Sequence, residues 1–235
     1  VGLSGDKFYA PEALLGSYVD YDGSVLVIDP SGRGQDETAY AVVKMLNGFL
    51  YVAECSGIAG GYSEKTLSGL AHIAKKHKVN MVLIESNFGD GMFTELLKPI
   101  LKKIYPVATE EVRHSKQKEL RIIDTLEPVM NQHKLIFDPK VIQDDFDSVQ
   151  HHPPEKAQRY MLTYQMTRVT KNRGALAHDD RLDALAMGVA YWVEQMAADV
   201  DEEMKERQHH MLMDQLNSFE NMHNVQAPKR DNTWI

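Results

Sequence analysis

A mixed α/β sheet with helices on both faces is the predicted fold class, on three observations. Three short apolar runs rich in Val, Leu, Ile and Tyr, at 24–29, 38–45 and 49–54, are punctuated by Gly32, Gly34 and Asn47-Gly48. Strand and helix periods then alternate along most of the remaining chain. The composition is globular: 43% hydrophobic and 26% charged residues over 235 positions suffice for one large domain with an appendage.

The elements follow in order. Residues 1–22 carry no sustained period and read as a lead-in or linker. The three runs from Ser24 predict an antiparallel meander, its second and third strands joined by a tight Asn47-Gly48 turn. Ser63 stands three residues before Thr66 and opens a helix whose Leu67, Leu70, Ile73 and Ala74 share one face through Lys78. MVLIESN at 81–87 predicts a buried strand, followed by Gly89-Asp90-Gly91 and an amphipathic helix to about Ile104. VATEEV suggests a short strand. Ser115 is placed to cap a helix carrying Leu120, Ile122, Ile123, Leu126 and Val129, with Glu119 in its first turn. KLIFD at 134–138 is another strand, whereas 139–177 is ambiguous, with QRYMLTYQMTRVT read as a strand pair or loop. A helical pattern resumes near Asp179 and runs into an acidic, Met-rich tail. The organisation expected is therefore a linker over 1–22, one domain over 23–198 and a tail over 199–235.

Composition narrows the function. A net charge of −8 argues against a generic basic nucleic-acid binder, although a local basic path is compatible with it. One cysteine, Cys55, excludes an intrachain disulfide framework or a Cys-rich zinc site and fits a reducing compartment. No apolar run approaches the ~20 residues of a membrane span, and no signal peptide opens the chain. The first residue is Val1 rather than Met, so a piece of a longer protein is expected.

Two acids sit where a strand stops. Asp29 ends VLVID and Glu85 ends MVLIE. A carboxylate after four apolar residues is costly to bury without a partner, but two at one sheet end can share a divalent cation. HDDRLDALAMG at 178–188 supplies more acids, with Asp179 and Asp183 four apart and Asp180 and Asp183 three apart on one helix face. Each piece alone also fits an ordinary role: a turn former at Asp29-Pro30-Ser31-Gly32, a polar loop after Glu85, a helix cap at Asp179-Asp180. Asp183, flanked by apolar positions, is hardest to explain by capping. Carboxylates without a Cys/His cage point to Mg²⁺ or Mn²⁺, and such clusters serve phosphoryl chemistry with two ions ~3.5–4 Å apart.

The order of these pieces resembles the RNase H-like nucleases: Asp on the first strand of a meander, Glu on a fourth strand, Asp on a late helix. Within that superfamily the chain looks like the C-terminal nuclease domain of a phage terminase large subunit, of the DNA maturase B type of short-tailed phages. VLVIDPSGRGQDETAYAVV, VLIESNFGDGMFTELL, SKQKELRIIDTLEPVM and HDDRLDALAMGVAYW carry the resemblance, spread over 24–193. It implies a metal-dependent endonuclease that cuts concatemeric viral DNA during packaging, with water as nucleophile and two ions, Mg²⁺ or Mn²⁺. Asp29 and Glu85 carry over as the first two metal-binding acids. For the third, Asp179 matches one reading of the family motif, while Asp183 and Asp180 resemble the paired acids of RuvC-type resolvases. The expected core is Asp29, Glu85 and Asp179, with Asp183 a further ligand or orienter and Asp180 the substitute for Asp179.

The resemblance also implies an ATPase half upstream. No G-x-x-x-x-G-K-[ST] phosphate loop occurs here, so cutting without ATP hydrolysis is expected of this piece. The implied partners are double-stranded DNA, the ATPase domain, the portal or procapsid and the small terminase subunit. The implied location is the host cytoplasm, transiently at the procapsid portal.

DNA needs positive charge along its path. Arg168, Lys171 and Arg173 precede the HDD segment and are the preferred cluster; Arg113, Lys116, Lys118 and Arg121 form a second. His178, beside Asp179, is a lesser candidate for contacting a phosphate or orienting water, and His151-His152 read as an exposed loop. Cys55 reads as a small buried residue. The tail carries eight acids against four bases, with a Met-rich apolar stripe suited to packing or to a partner. A RuvC-like resolvase, a transposase-type nuclease and a non-catalytic portal-docking module are the competing readings.

Overall fold

The computed structural model describes residues 19–31, 37–86 and 91–223, with side chains through 213. Residues 1–18 of the predicted lead-in (1–22), the turns at Gly32, Gly34 and Gly89, and residues 224–235 of the predicted tail (199–235) lie outside the described residues. Strands β1 (Gly23–Asp29), β2 (Glu37–Leu46) and β3 (Phe49–Ala59) form the antiparallel meander. Then follow α1 (Glu64–His77), β4 (Met81–Glu85), α2 (Met92–Ile104), β5 (Ala108–Val112), α3 (Lys118–Asn131) and β6 (Leu135–Phe137). Helices α4 (Pro139–Ser148), α5 (Pro154–Tyr160), α6 (Leu162–Arg168) and α7 (Asp180–His223) complete the order. The sheet runs β5-β4-β1-β2-β3-β6, with β4 parallel to β1 and β5, and β6 parallel to β3.

Local chemistry explains most boundaries. Asn47 and Gly48 both have positive φ (52° and 76°), as the tight hairpin turn requires. Ser63 caps α1 by accepting the Thr66 amide, and Lys78 ends it in the left-handed region. The strand period then sorts the core. Leu26, Ile28, Tyr40, Val42, Val82 and Ile84 pack with Leu67, Leu70 and Ala74 of α1 and Phe93, Leu97 and Leu101 of α2. At alternate positions, Val27 and Val43 face α7. A Cβ at Gly188 would meet Val43 at 2.8 Å and Val27 at 3.2 Å, so glycine there lets α7 lie close on the sheet. Trp192 donates its indole N–H to the Val43 carbonyl (3.0 Å).

Two expectations are corrected. The segment read as a strand pair or loop is helical, forming α5 and α6. Its β-branched and aromatic content favours strand, but Asp145 overrides that by accepting the backbone amides of Leu162 and Thr163, the first residues of α6. Ser115 does not cap α3: Gln117 occupies that position without a side-chain bond.

The chain divides into two compact units, 1–192 and 193–235. In the second, α7 exposes Val200, Met204, Met211, Leu212 and Met213. Among the described residues no helix is long and apolar enough to cross a membrane.

On β3, Glu54 accepts hydrogen bonds from Tyr40 (2.8 Å) and Lys76 and lies 2.7 Å from His77 Nε2. Burial alone would raise its carboxyl, but the bonds to His77, Lys76 and Tyr40 outweigh that and hold it down to about 2. A folded-state value below the ordinary 4.5 means the contribution is present above pH ~4.5 and lost as pH falls toward ~2. Glu54→Gln should therefore flatten the acid limb of stability in that window. Urea midpoints at stepped pH check this, and identical acid limbs would refute it.

Candidate metal centre

The sheet itself places two acids side by side. Ile28 of β1 pairs in parallel register with Ile84 of β4, so Asp29 and Glu85 are the next residues on adjacent strands. Because Ile28 and Ile84 face α1 and α2, the strand period turns Asp29 and Glu85 to the α7 side. The first turn of α7 brings a third. The Asp179 carbonyl accepts the Asp183 amide (2.8 Å), which starts the helix and aims Asp183 at the strand ends. Asp29, Glu85 and Asp183 each offer an oxygen, all within 4.8 Å of one another.

Electrostatics mark the cluster. The Asp183 side chain is 0% exposed, and burial pushes its carboxyl up to about 6, opposed by Lys118 and Arg121 and reinforced by Glu85. Burial also holds Asp29 well above the usual carboxylate range; Lys118 opposes this, and Glu85, Asp180 and Asp183 add to it. These acids repel one another in a partly dry site, an arrangement that added positive charge relieves.

Two cations come from α3. Lys118 Nζ lies 2.8 Å from Asp179, 3.2 Å from Asp180, 3.2 Å from Asp183 and 3.6 Å from Asp29. Arg121 Nη2 lies 2.7 Å from Asp183 Oδ1 and 3.6 Å from Glu85. The start of α3 is fastened to the loop before α7. Gln117 donates to the Lys171 carbonyl (3.1 Å), and Glu119 accepts the Gly174 amide (2.6 Å).

The donor set fits a hard divalent ion. It is all carboxylate, and buried Asp183 Oδ1 has the Arg121 ion pair but no hydrogen bond.

Comparison with known proteins gives a family from sequence and a shared fold from solved structures. Residues 28–135 match the family described as the ribonuclease H-like domain of the bacteriophage T7 terminase. The large terminase subunit of Enterobacteria phage T3 is 47% identical over 191 residues, 81% of this chain and 33% of that protein. The chain belongs to the RNase H-like domains of phage terminase large subunits. It spans about a third of the length of the T3 relative it matches.

The terminase fold extends beyond phages of this type. The human cytomegalovirus terminase nuclease domain, manganese-soaked and inhibitor-bound, superposes with a TM-score of 0.51 at 15% identity, covering 73% of this chain and 84% of that one. A mutant nuclease domain of the large terminase subunit of bacterial virus Sf6, with manganese and beta-thujaplicinol, gives 0.50 at 12% identity, covering 72% and 88%. At these identities the likeness speaks to fold.

Within this terminase domain, the third acid beside Asp29 and Glu85 is Asp183, whereas Asp179 lies against Lys118 with 22% of its side chain exposed. Asp180 also meets Lys118. Lys171 and Arg173 are exposed on the loop fastened to α3, and Arg168, half-buried, stacks its guanidinium over Tyr164 at 5.8 Å. His178 stacks on Tyr160 (3.9 Å), which stacks on His152 (4.2 Å). Cys55 is buried, its thiol 3.6 Å from the Arg181 carbonyl. Sequence reasoning missed the placement of Lys118 and Arg121 among the acids. Their three-residue spacing puts both on one helix face, but nothing local shows which face meets the strand ends.

Proposed function

We propose that this chain is the metal-dependent DNA endonuclease of a viral packaging terminase, cutting concatemeric double-stranded DNA by phosphodiester hydrolysis with water as nucleophile. The observation that carries the reading is the convergence of Asp29, Glu85 and Asp183 at the sheet end of a domain from this family. These three would hold the divalent ions, two in number and either Mg²⁺ or Mn²⁺. Bound there, such ions neutralise phosphate charge and lower the pKa of water.

The chain's own residues do the rest. Asp29 and Glu85 fix the floor of the site through strand register, and Asp183 closes it from the helix. Asp179 stands at the more exposed edge, as an outer ligand or orienter. Lys171 and Arg173, with Arg168 behind them, would line the approach of the DNA backbone. The portal or procapsid, the small subunit and an ATPase domain are the proposed partners, met in the host cytoplasm and transiently at the portal.

The test is supercoiled plasmid incubated with the chain in EDTA, Mg²⁺ or Mn²⁺. Nicking and linearisation are expected only with metal; cutting in EDTA, or none in either metal, would count against the reading. Removing the charges of Arg168, Lys171 and Arg173 together should lower the slope of log affinity against log salt, by about 0.9 for each duplex phosphate that they neutralise. An unchanged slope would remove these residues from the DNA path.

A further inference from the structure

The acid cluster already contains a tethered cation. Lys118 Nζ meets four carboxylates from two elements, Asp29 at the end of β1 and Asp179, Asp180 and Asp183 around the start of α7, at 2.8–3.6 Å. Lys76, Lys98 and Lys140 each pair with one acid in this structure. Two of the acids Lys118 touches, Asp29 and Asp183, belong to the three-oxygen set of the metal centre. An ammonium at that distance takes the lone pairs a divalent ion would use, and adds like charge to any ion beside it.

The position is held from outside the cluster. The Gln117–Lys171 and Glu119–Gly174 bonds flank Lys118 and fix the first turn of α3 against the loop. The side chain itself has a way out: 32% of it is exposed, and its four-carbon stem is flexible. Arg121 differs, with 12% exposure and a planar head lying between Asp183 and Glu85.

We propose that Lys118 is a built-in competitor for the metal centre: it neutralises the acids when no divalent ion is bound and must swing out for the site to fill. It thereby sets the metal concentration at which the site becomes occupied. The proposal rests on the reading that Asp29, Glu85 and Asp183 hold the metal.

Titration calorimetry of Mn²⁺ into the EDTA-stripped, desalted chain tests it, with wild type, Lys118→Met, Lys118→Gln and Asp183→Asn. Both lysine variants should bind Mn²⁺ at least about tenfold more tightly than wild type, the scale of one charge-assisted hydrogen bond relinquished. Without metal both should melt below wild type, and saturating Mn²⁺ should close the gap. Using two variants guards against one failing to fold, which the melts report directly. Equal or weaker Mn²⁺ binding by the folded variants overturns the competition while leaving the metal centre standing. If Asp183→Asn binds Mn²⁺ as wild type does, or neither wild type nor the folded lysine variants bind any, the metal-centre reading falls and the competitor with it.

Discussion

Asp183→Asn is expected to abolish metal-dependent plasmid cutting, by more than about 1000-fold, while Asp179→Asn reduces it within about tenfold. The larger figure corresponds to the several kcal/mol of charge stabilisation that bound ions supply. Both residues begin the same helix, four positions apart, yet their settings differ. Asp183 is wholly buried with an oxygen within 4.8 Å of those of Asp29 and Glu85. Asp179 is 22% exposed and lies 2.8 Å from Lys118. Asparagine keeps the size of either side chain and removes its charge, so the comparison isolates metal binding from packing. Initial rates of nicking over a Mn²⁺ series make the measurement. Equal losses in the two variants, or a greater loss at Asp179, would place Asp179 in the core instead.

Arg181→Met should cost about 3–5 kcal/mol of stability, the range for breaking a buried ion pair from one side. At ~2–4 °C per kcal/mol for a domain of this size, the melting temperature should fall by roughly 6–20 °C. Arg181 is 0% exposed. Its Nε and Nη2 donate to Glu37 at 2.6 and 2.9 Å, and its Nη1 donates to Asp145 at 3.0 Å and Ser148 at 2.8 Å. Asp145 in turn accepts the amides that start α6, and Gln165 of α6 accepts the Leu182 amide (3.0 Å). One guanidinium thus joins β2, α4, α6 and α7, two residues from Asp183. Methionine preserves much of the volume but leaves Glu37 and Asp145 as buried carboxylates without their cation. A thermal melt beside Lys140→Ala, which breaks an exposed pair, makes the test. A shift as small as that of the control would show the network to be dispensable.

The sequence alone determined the sheet and two of the acids, because both depend on local periods. A strand of alternating faces, register and a tight Asn47-Gly48 turn leave little choice about where β1 to β4 run. Once β1 and β4 are parallel neighbours, acids at their ends lie together. The helix of 180–192 was equally legible from its apolar spacing and the small residues that let it approach the sheet.

Only the tertiary structure decided the rest. Asp179, Asp180 and Asp183 are alike as residues at a helix start, and which one is buried depends on how α7 docks, which no local pattern encodes. Lys118 reaches Asp183 across 65 positions, so its place among the acids exists only after α3 is fastened to the 171–174 loop. The stretch 162–168 carries strand-favouring side chains and becomes α6, where Asp145 of α4 accepts the amides of Leu162 and Thr163. Periodicity is a property of neighbours in sequence; burial and charge partners are properties of neighbours in space.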